Sequence, residues 1–201
     1  MREWWTAKRL KRGLLEELED IGSQLPRAAM IYARHLQVFA LRGCDPSMPL
    51  PINNLFFKQY YKDVFHRLSR EQRLSYQLIH SSLDGLNKQF EDLAGAASTC
   101  ANLRGPRDQA LLNGAINAWG DVVTATFQNI RDVQWHIAHH LTNRHGPDLT
   151  LYGSIHAEHL RFKEEMRKEA TAILDDGLRL NREDFEKIYD EAAFKKLSIK
   201  T

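Results

Sequence analysis

A chain of 201 residues is long enough for one domain with a substantial core, and 43% hydrophobic against 27% charged residues excludes a disordered polymer. A formal net charge of +2 excludes a protein that holds nucleic acid by bulk charge alone. Only 11 Gly and 6 Pro leave little material for turns, so a few long elements in a single domain over residues 1–201 are expected.

The N-terminus pairs Trp4 and Trp5 with Lys8, Arg9, Lys11 and Arg12, followed by Glu16, Glu17, Glu19 and Asp20. Indole rings beside a basic cluster suit a membrane–water interface, with the rings at headgroup depth and the cations toward anionic lipid. Residues 1–12 are therefore a candidate membrane-proximal or flexible basic segment. The plainer reading is that the tryptophans cover the end of the fold while the basic residues pair with the acidic turn that follows. No run of about 18 apolar residues occurs, and no apolar leader core stands at the start. A cytoplasmic location is expected, with association to the cytoplasmic face of a membrane as its variant.

Apolar residues then recur with helical spacing. Leu14, Leu18, Ile21, Leu25, Ala28, Tyr32, His35 and Phe39 step by four and three, which puts one stripe on one helix face. A straight helix from Arg2 to Arg42 would be about 60 Å long. A kink or break is expected at Gly22, Ser23 and Pro26, because Pro26 cannot donate to the Gly22 carbonyl. Gly43, Asp45-Pro46 and Pro49-Leu50-Pro51 end this region in an irregular connection. Asn53 or Asn54 is placed to cap a shorter helix whose aromatic residues, Phe56, Phe57, Tyr60, Tyr61 and Phe65, read as core.

Ser69 with Gln72 forms a capping-box pattern ahead of Tyr76, Ile79, Leu83, Leu86, Phe90 and Leu93. Residues 95–106 read as a loop. The next stripe is the longest: Leu112, Ile116, Trp119, Val123, Thr126, Ile130, Val133, Ile137 and His140. After a connection at 144–153, a fourth stripe runs through Ile155, His159, Phe162 and Met166 to Ile173. Asn181 and Asp184 open a short terminal helix with Phe185, Ile188 and Tyr189. The fold expected is all-α, an antiparallel bundle of four or more long amphipathic helices with coiled-coil-like packing and a kinked or broken N-terminal helix. Cys44 and Cys100 both fall in stretches read as loops and lack any CxxC or Cys/His ligand spacing. No disulfide framework is expected, and a reducing compartment is the simpler setting.

Six of the nine histidines lie between His136 and His159. His140 and His159 both interrupt apolar stripes, near the two ends of a short connection, so they are expected to meet. The pairs His136/His140 and His156/His159 are each about one turn apart, a local spacing that suits Zn or Fe. His136, His140, His156 and His159 are thus the candidate metal ligands. Against a metal, no Glu-x-x-His pair and no HExxH motif is present. Structural histidines, bonded to each other or to backbone, are the simpler reading, with no cofactor. Protonation of this cluster between about pH 5 and 7 is expected to loosen the hairpin.

The segment Arg131-Asp132-Val133-Gln134-Trp135-His136 resembles the Arg-polar-x3-His motif of HEPN ribonucleases, which are small helical bundles acting on RNA at a dimer cleft. The resemblance covers six residues and implies catalytic roles for Arg131 and His136 alone. Chemically, an arginine would hold the phosphate while a histidine moves the 2′-hydroxyl proton. On an ideal helix the two lie about 140° apart. No phosphate loop, nucleophile elbow or Ser/His/Asp order occurs. The function expected is therefore a non-enzymatic helical interaction or regulatory protein, with a protein partner or a second copy as its ligand. A metal-independent ribonuclease and a His-ligated metal-binding bundle are the alternatives.

Overall fold

The computed structural model describes residues 2–103, 109–151 and 153–180, with side chains from residue 7 onward. The tryptophan pair at positions 4 and 5 and the terminal helix expected after residue 180 lie outside the described side chains and residues. Within them the secondary structure is entirely helical: α1 (Arg2–Ala40), α2 (Leu55–Val64), a 3-10 turn (Phe65–Arg67), α3 (Arg70–Asn102), α4 (Gln109–Thr142) and α5 (Ser154–Gly177). Helix α1 packs on α2, α4 and α5, and α4 also packs on α3 and α5. No helix among the described residues is long and apolar enough to cross a membrane.

Three of the four stripes form the core. From Leu14 to His35 every stripe residue of α1 is buried, as are those of α3 from Tyr76 to Leu93 and of α4 from Ile116 to His140. The α5 stripe is buried only toward its end, at Met166 and Ile173, with Ala170 buried next to Glu169, through which the stripe passes. Ile155, His159 and Phe162 are half-buried. An aromatic layer crosses the middle of the core. Tyr32 stacks on Phe90 at 5.4 Å, and His35 lies 5.1 Å from Tyr32 and 5.5 Å from Trp119 (ring centroids). Two glycines set how closely helices approach. A Cβ on Gly120 would enter the Phe39 ring, and one on Gly177 would lie 2.9 Å from the Gln37 Cα, so α5 touches α1 backbone to backbone there.

Several boundaries differ from those expected. Helix α1 continues through Pro26 without a break. Its stripe is buried on both sides of the proline, at Ile21, Leu25 and Ala28, so packing outweighs one lost backbone bond. Helix α3 continues to Asn102, so most of the loop expected at 95–106 is helix. There the stripe simply goes on in small residues, with Ala97 and Cys100 buried. The capping box at Ser69 is present in both directions, Ser69 Oγ accepting from Gln72 N and Gln72 Oε1 accepting from Ser69 N.

Helix α2 begins after Asn54, yet the Asn54 side chain makes no capping bond and donates instead to Asp84. The cap comes from another helix. Both carboxylate oxygens of Glu17, on α1, accept from the free N–H groups of Phe56 (2.7 Å) and Phe57 (2.9 Å). A carboxylate at a helix N-terminus satisfies orphan donors and meets the positive end of the helix dipole. The Glu17→Ala variant is expected to lose about 1–2 kcal/mol of stability, read from denaturant unfolding. A loss within error would show that α2 is held by apolar contacts alone.

His35 and His80 are fully enclosed, and His80 stacks on Phe57 at 3.8 Å. Burial pushes the imidazoles down, His35 to about 4 against the pull of Asp45, and His80 to about 3 against that of Asp84. Both are neutral in the folded chain, whereas unfolded imidazoles titrate near 6.5. As pH falls below about 6.5 the unfolded chain binds protons first, so stability declines from there toward the folded values. The melting temperature is expected to fall between pH 7 and 5, each histidine costing about 2 kcal/mol at pH 5. His80→Phe should make the decline shallower, and a slope unchanged in that variant would count against the assignment.

Candidate metal centre

Helix α4 has a second face beside its main stripe. Asp132 and His136 are four residues apart, one turn along this face, and His159 reaches them from α5. His159 Nε2 donates to Asp132 Oδ1 at 2.6 Å, and His136 Nε2 lies 3.7 Å from Asp132 Oδ2. One ligand atom from each of Asp132, His136 and His159 lies within 4.8 Å of the others. The histidine rings meet edge to face at 4.8 Å. Trp135 stacks on His159 at 4.4 Å and on His139 at 5.2 Å, which fixes the His159 ring plane. His139 is itself held, its Nε2 donating to the Asp148 carbonyl at 2.9 Å.

His136 is nine-tenths buried, and its Nδ1 has no hydrogen-bond partner. Burial lowers it to about 4, against the pull of Asp132 and helped by His159. The ring is therefore neutral near pH 7 and keeps a lone pair for a metal. The group opens on a cleft of about 320 Å³ between α4, α5 and the 149–151 connection. Leu78 of α3, Leu149, Leu151, Ile155 and Leu160 are its aliphatic lining, and Lys163 also lines it, its Nζ 3.8 Å from Asp132 Oδ1.

The two histidines expected to meet do not pair. His140 turns to α3, where Nδ1 shares a 2.8 Å hydrogen bond with Ser75 Oγ and the ring lies 4.3 Å from Tyr76. It belongs to the main stripe, buried against α3, whereas His136 belongs to the face that meets α5. His156 lines the cleft outside the three-residue group, and His145 is exposed in the connection. Asp132 escaped the sequence reading, although the Asp-x-x-x-His spacing on a helix is itself a signal for a ligand pair.

Arg131 points elsewhere. Its Nε lies 3.3 Å from Glu169 on α5, and its Nη1 donates to Gln134 at 2.9 Å. The ribonuclease-like motif thus has its arginine engaged in an ion pair between helices and its histidine beside Asp132. In the basic N-terminal segment, Arg12 pairs with Glu16 at 2.7 Å and Lys11 donates to the Arg67 carbonyl. Compared with protein-family models, curated proteins and solved structures, the chain matches none of them.

Proposed function

We propose that this protein binds one divalent first-row transition-metal ion through Asp132, His136 and His159. The observation that carries the reading is the convergence of two imidazoles and a carboxylate, from two helices, at the wall of an open cleft. Around a tetrahedral ion with bonds near 2.0–2.1 Å, ligand atoms lie about 3.4 Å apart. Side-chain adjustment would bring the wider separations in and open the 2.6 Å contact between His159 and Asp132, where the ion would replace the shared proton. Two histidines and one carboxylate with positions left open are a donor set used for Zn and for non-haem Fe(II). The open positions would face the apolar cleft, a place for an exogenous ligand with one donor atom and an apolar body.

A second reading, an interaction or regulatory role with a protein partner or a second copy, is favoured by the exposure of Leu78, Leu151 and Leu160 around the same cleft. It is compatible with a metal. We also infer an antiparallel bundle, supported by the short connection after α4 that brings His159 back to His136. A bend of α1 at Pro26 is inferred from the backbone bond that the proline cannot make inside the helix. The Arg131–Glu169 pair makes an RNA-cleaving role the less supported alternative.

Zinc titration of the purified chain, followed by calorimetry and metal analysis, tests the proposal. One equivalent is expected to bind, with affinity about 100-fold weaker or more in His136→Ala and in His159→Ala. Lys163→Met should tighten binding, because a cation beside the ligand carboxylate is removed. Absence of binding, or binding unaffected by both alanine variants, would overturn it.

A further inference from the structure

The sequence gives the two cysteines of the chain no disulfide or ligand spacing, yet the fold brings them together. Cys44 follows the end of α1, Cys100 is in the last turn of α3, and their sulfurs are 2.7 Å apart as free thiols. That is far inside an ordinary sulfur–sulfur contact and only somewhat beyond a bond of about 2.05 Å.

The proximity is held from both sides. At α1 the chain turns through Arg42, which has a left-handed φ of 59°, and Gly43 N bonds back to the Val38 carbonyl. Arg42 Nη1 also donates to Asn117 on α4 at 2.9 Å. Beyond Cys44, the irregular segment runs back along α3 and is fastened to it twice more. The Asn87 side chain exchanges two hydrogen bonds with the backbone of Ile52, at 2.9 and 2.8 Å, and Asn54 donates to Asp84 at 3.0 Å. Positions 44, 52 and 54 thus lie opposite 100, 87 and 84 in descending order. The chain is thus anchored on both sides of Cys44, at Gly43 and at Ile52.

We propose that Cys44 and Cys100 form a site of reversible covalent modification, closing to an intramolecular disulfide at the expense of a low-molecular-weight disulfide such as oxidised glutathione. Cys44 is the entry point, since it is half-exposed while Cys100 is buried. The Cys44 thiolate attacks one sulfur of the small disulfide, whose S–S bond breaks and releases one thiolate. The Cys100 thiolate then attacks the Cys44 sulfur of the mixed disulfide and expels the second. Two protein thiols are oxidised, one small disulfide is reduced to two small thiols, and the two cysteine protons end on those leaving groups. Burial, with the neighbouring Cys100, pushes the Cys44 thiol up to about 12, so its thiolate is scarce near neutral pH and closure accelerates as pH rises. The bond fastens the irregular segment and the α3 terminus together, independently of any metal at Asp132.

The test is incubation of the reduced full chain with oxidised glutathione, followed by intact mass, thiol titration and thermal melting. The expected product is monomeric, lighter by two hydrogens and free of titratable thiol. A Cys44 peptide should be found joined to a Cys100 peptide. The melting temperature should rise by about 5–10 °C and return on reduction. The same treatment of Cys44→Ser and of Cys100→Ser should leave their melting temperatures unmoved. Two thiols still titratable, a stable glutathione adduct on Cys44 in the unmodified chain, or disulfide-linked dimers would each overturn the proposal. The mass and peptide measurements need no variant, so they stand even if a serine variant fails to fold.

Discussion

Helix α4 has to be dry on more than one side, and the rest of the structure is arranged to achieve it. Its main stripe, from Ile116 to His140, is covered by α1 and α3, and α5 closes on a further face. Burial of Trp119, Val123, Phe127, Ile130 and Val133 removes several large apolar side chains from water. At about 1.5–3 kcal/mol for each large side chain, this is the main favourable contribution of the core. A helix so enclosed cannot carry polar atoms freely. Thr126 satisfies its hydroxyl on the Val122 carbonyl within its own helix, and His140 takes Ser75 from α3. Arg131, Asp132 and His136 draw on α5, through Glu169 and His159.

The same economy explains why polar groups gather at one end. Three helices of about the same length share the centre of the core, where Tyr32 stacks on Phe90 and Trp119 meets His35 at a tilt. Histidines within it, His35 and His80, are kept neutral by exclusion of water. Toward the 143–153 connection α5 no longer seals the core, and side chains that are both polar and aromatic, His136, His139, Trp135 and His159, take over the packing. Imidazole suits such a border because it buries one face while keeping nitrogen atoms for a partner.

Much of this fold was legible because spacing by three and four states a physical condition, that one helix face be dry. Leu14 to His35, Tyr76 to Leu93 and Ile116 to His140 met that condition without exception. What escaped was any feature decided by a partner distant in sequence. Local pattern places the α2 cap at Asn53 or Asn54, and Glu17 supplies it from α1. Gly95 and its small neighbours resembled a loop, but Ala97 and Cys100 extend a buried face that only tertiary packing reveals. The pairing of His140 with His159 failed for a related reason. A helix with neighbours on two sides has two inward faces, and the stripe register assigns His140 to one while His159 packs on the other. The spacing of Asp132 and His136 is visible in the sequence, but that Asp132 joins His136 to His159 shows only once both faces are known.

The backbone contact between Gly177 and Gln37 has a mechanical consequence for α5. That end of the helix is seated by shape, with no side chain to give way, while its first turns rest on half-buried Ile155, His159 and Phe162. The two ends of α5 are thus held by different means: backbone against backbone at Gly177, and near its start by side chains, with His159 stacked on Trp135 and bonded to Asp132. A substitution at Gly177 would displace the helix itself, whereas one at His159 would remove a contact and leave the backbone where it lies.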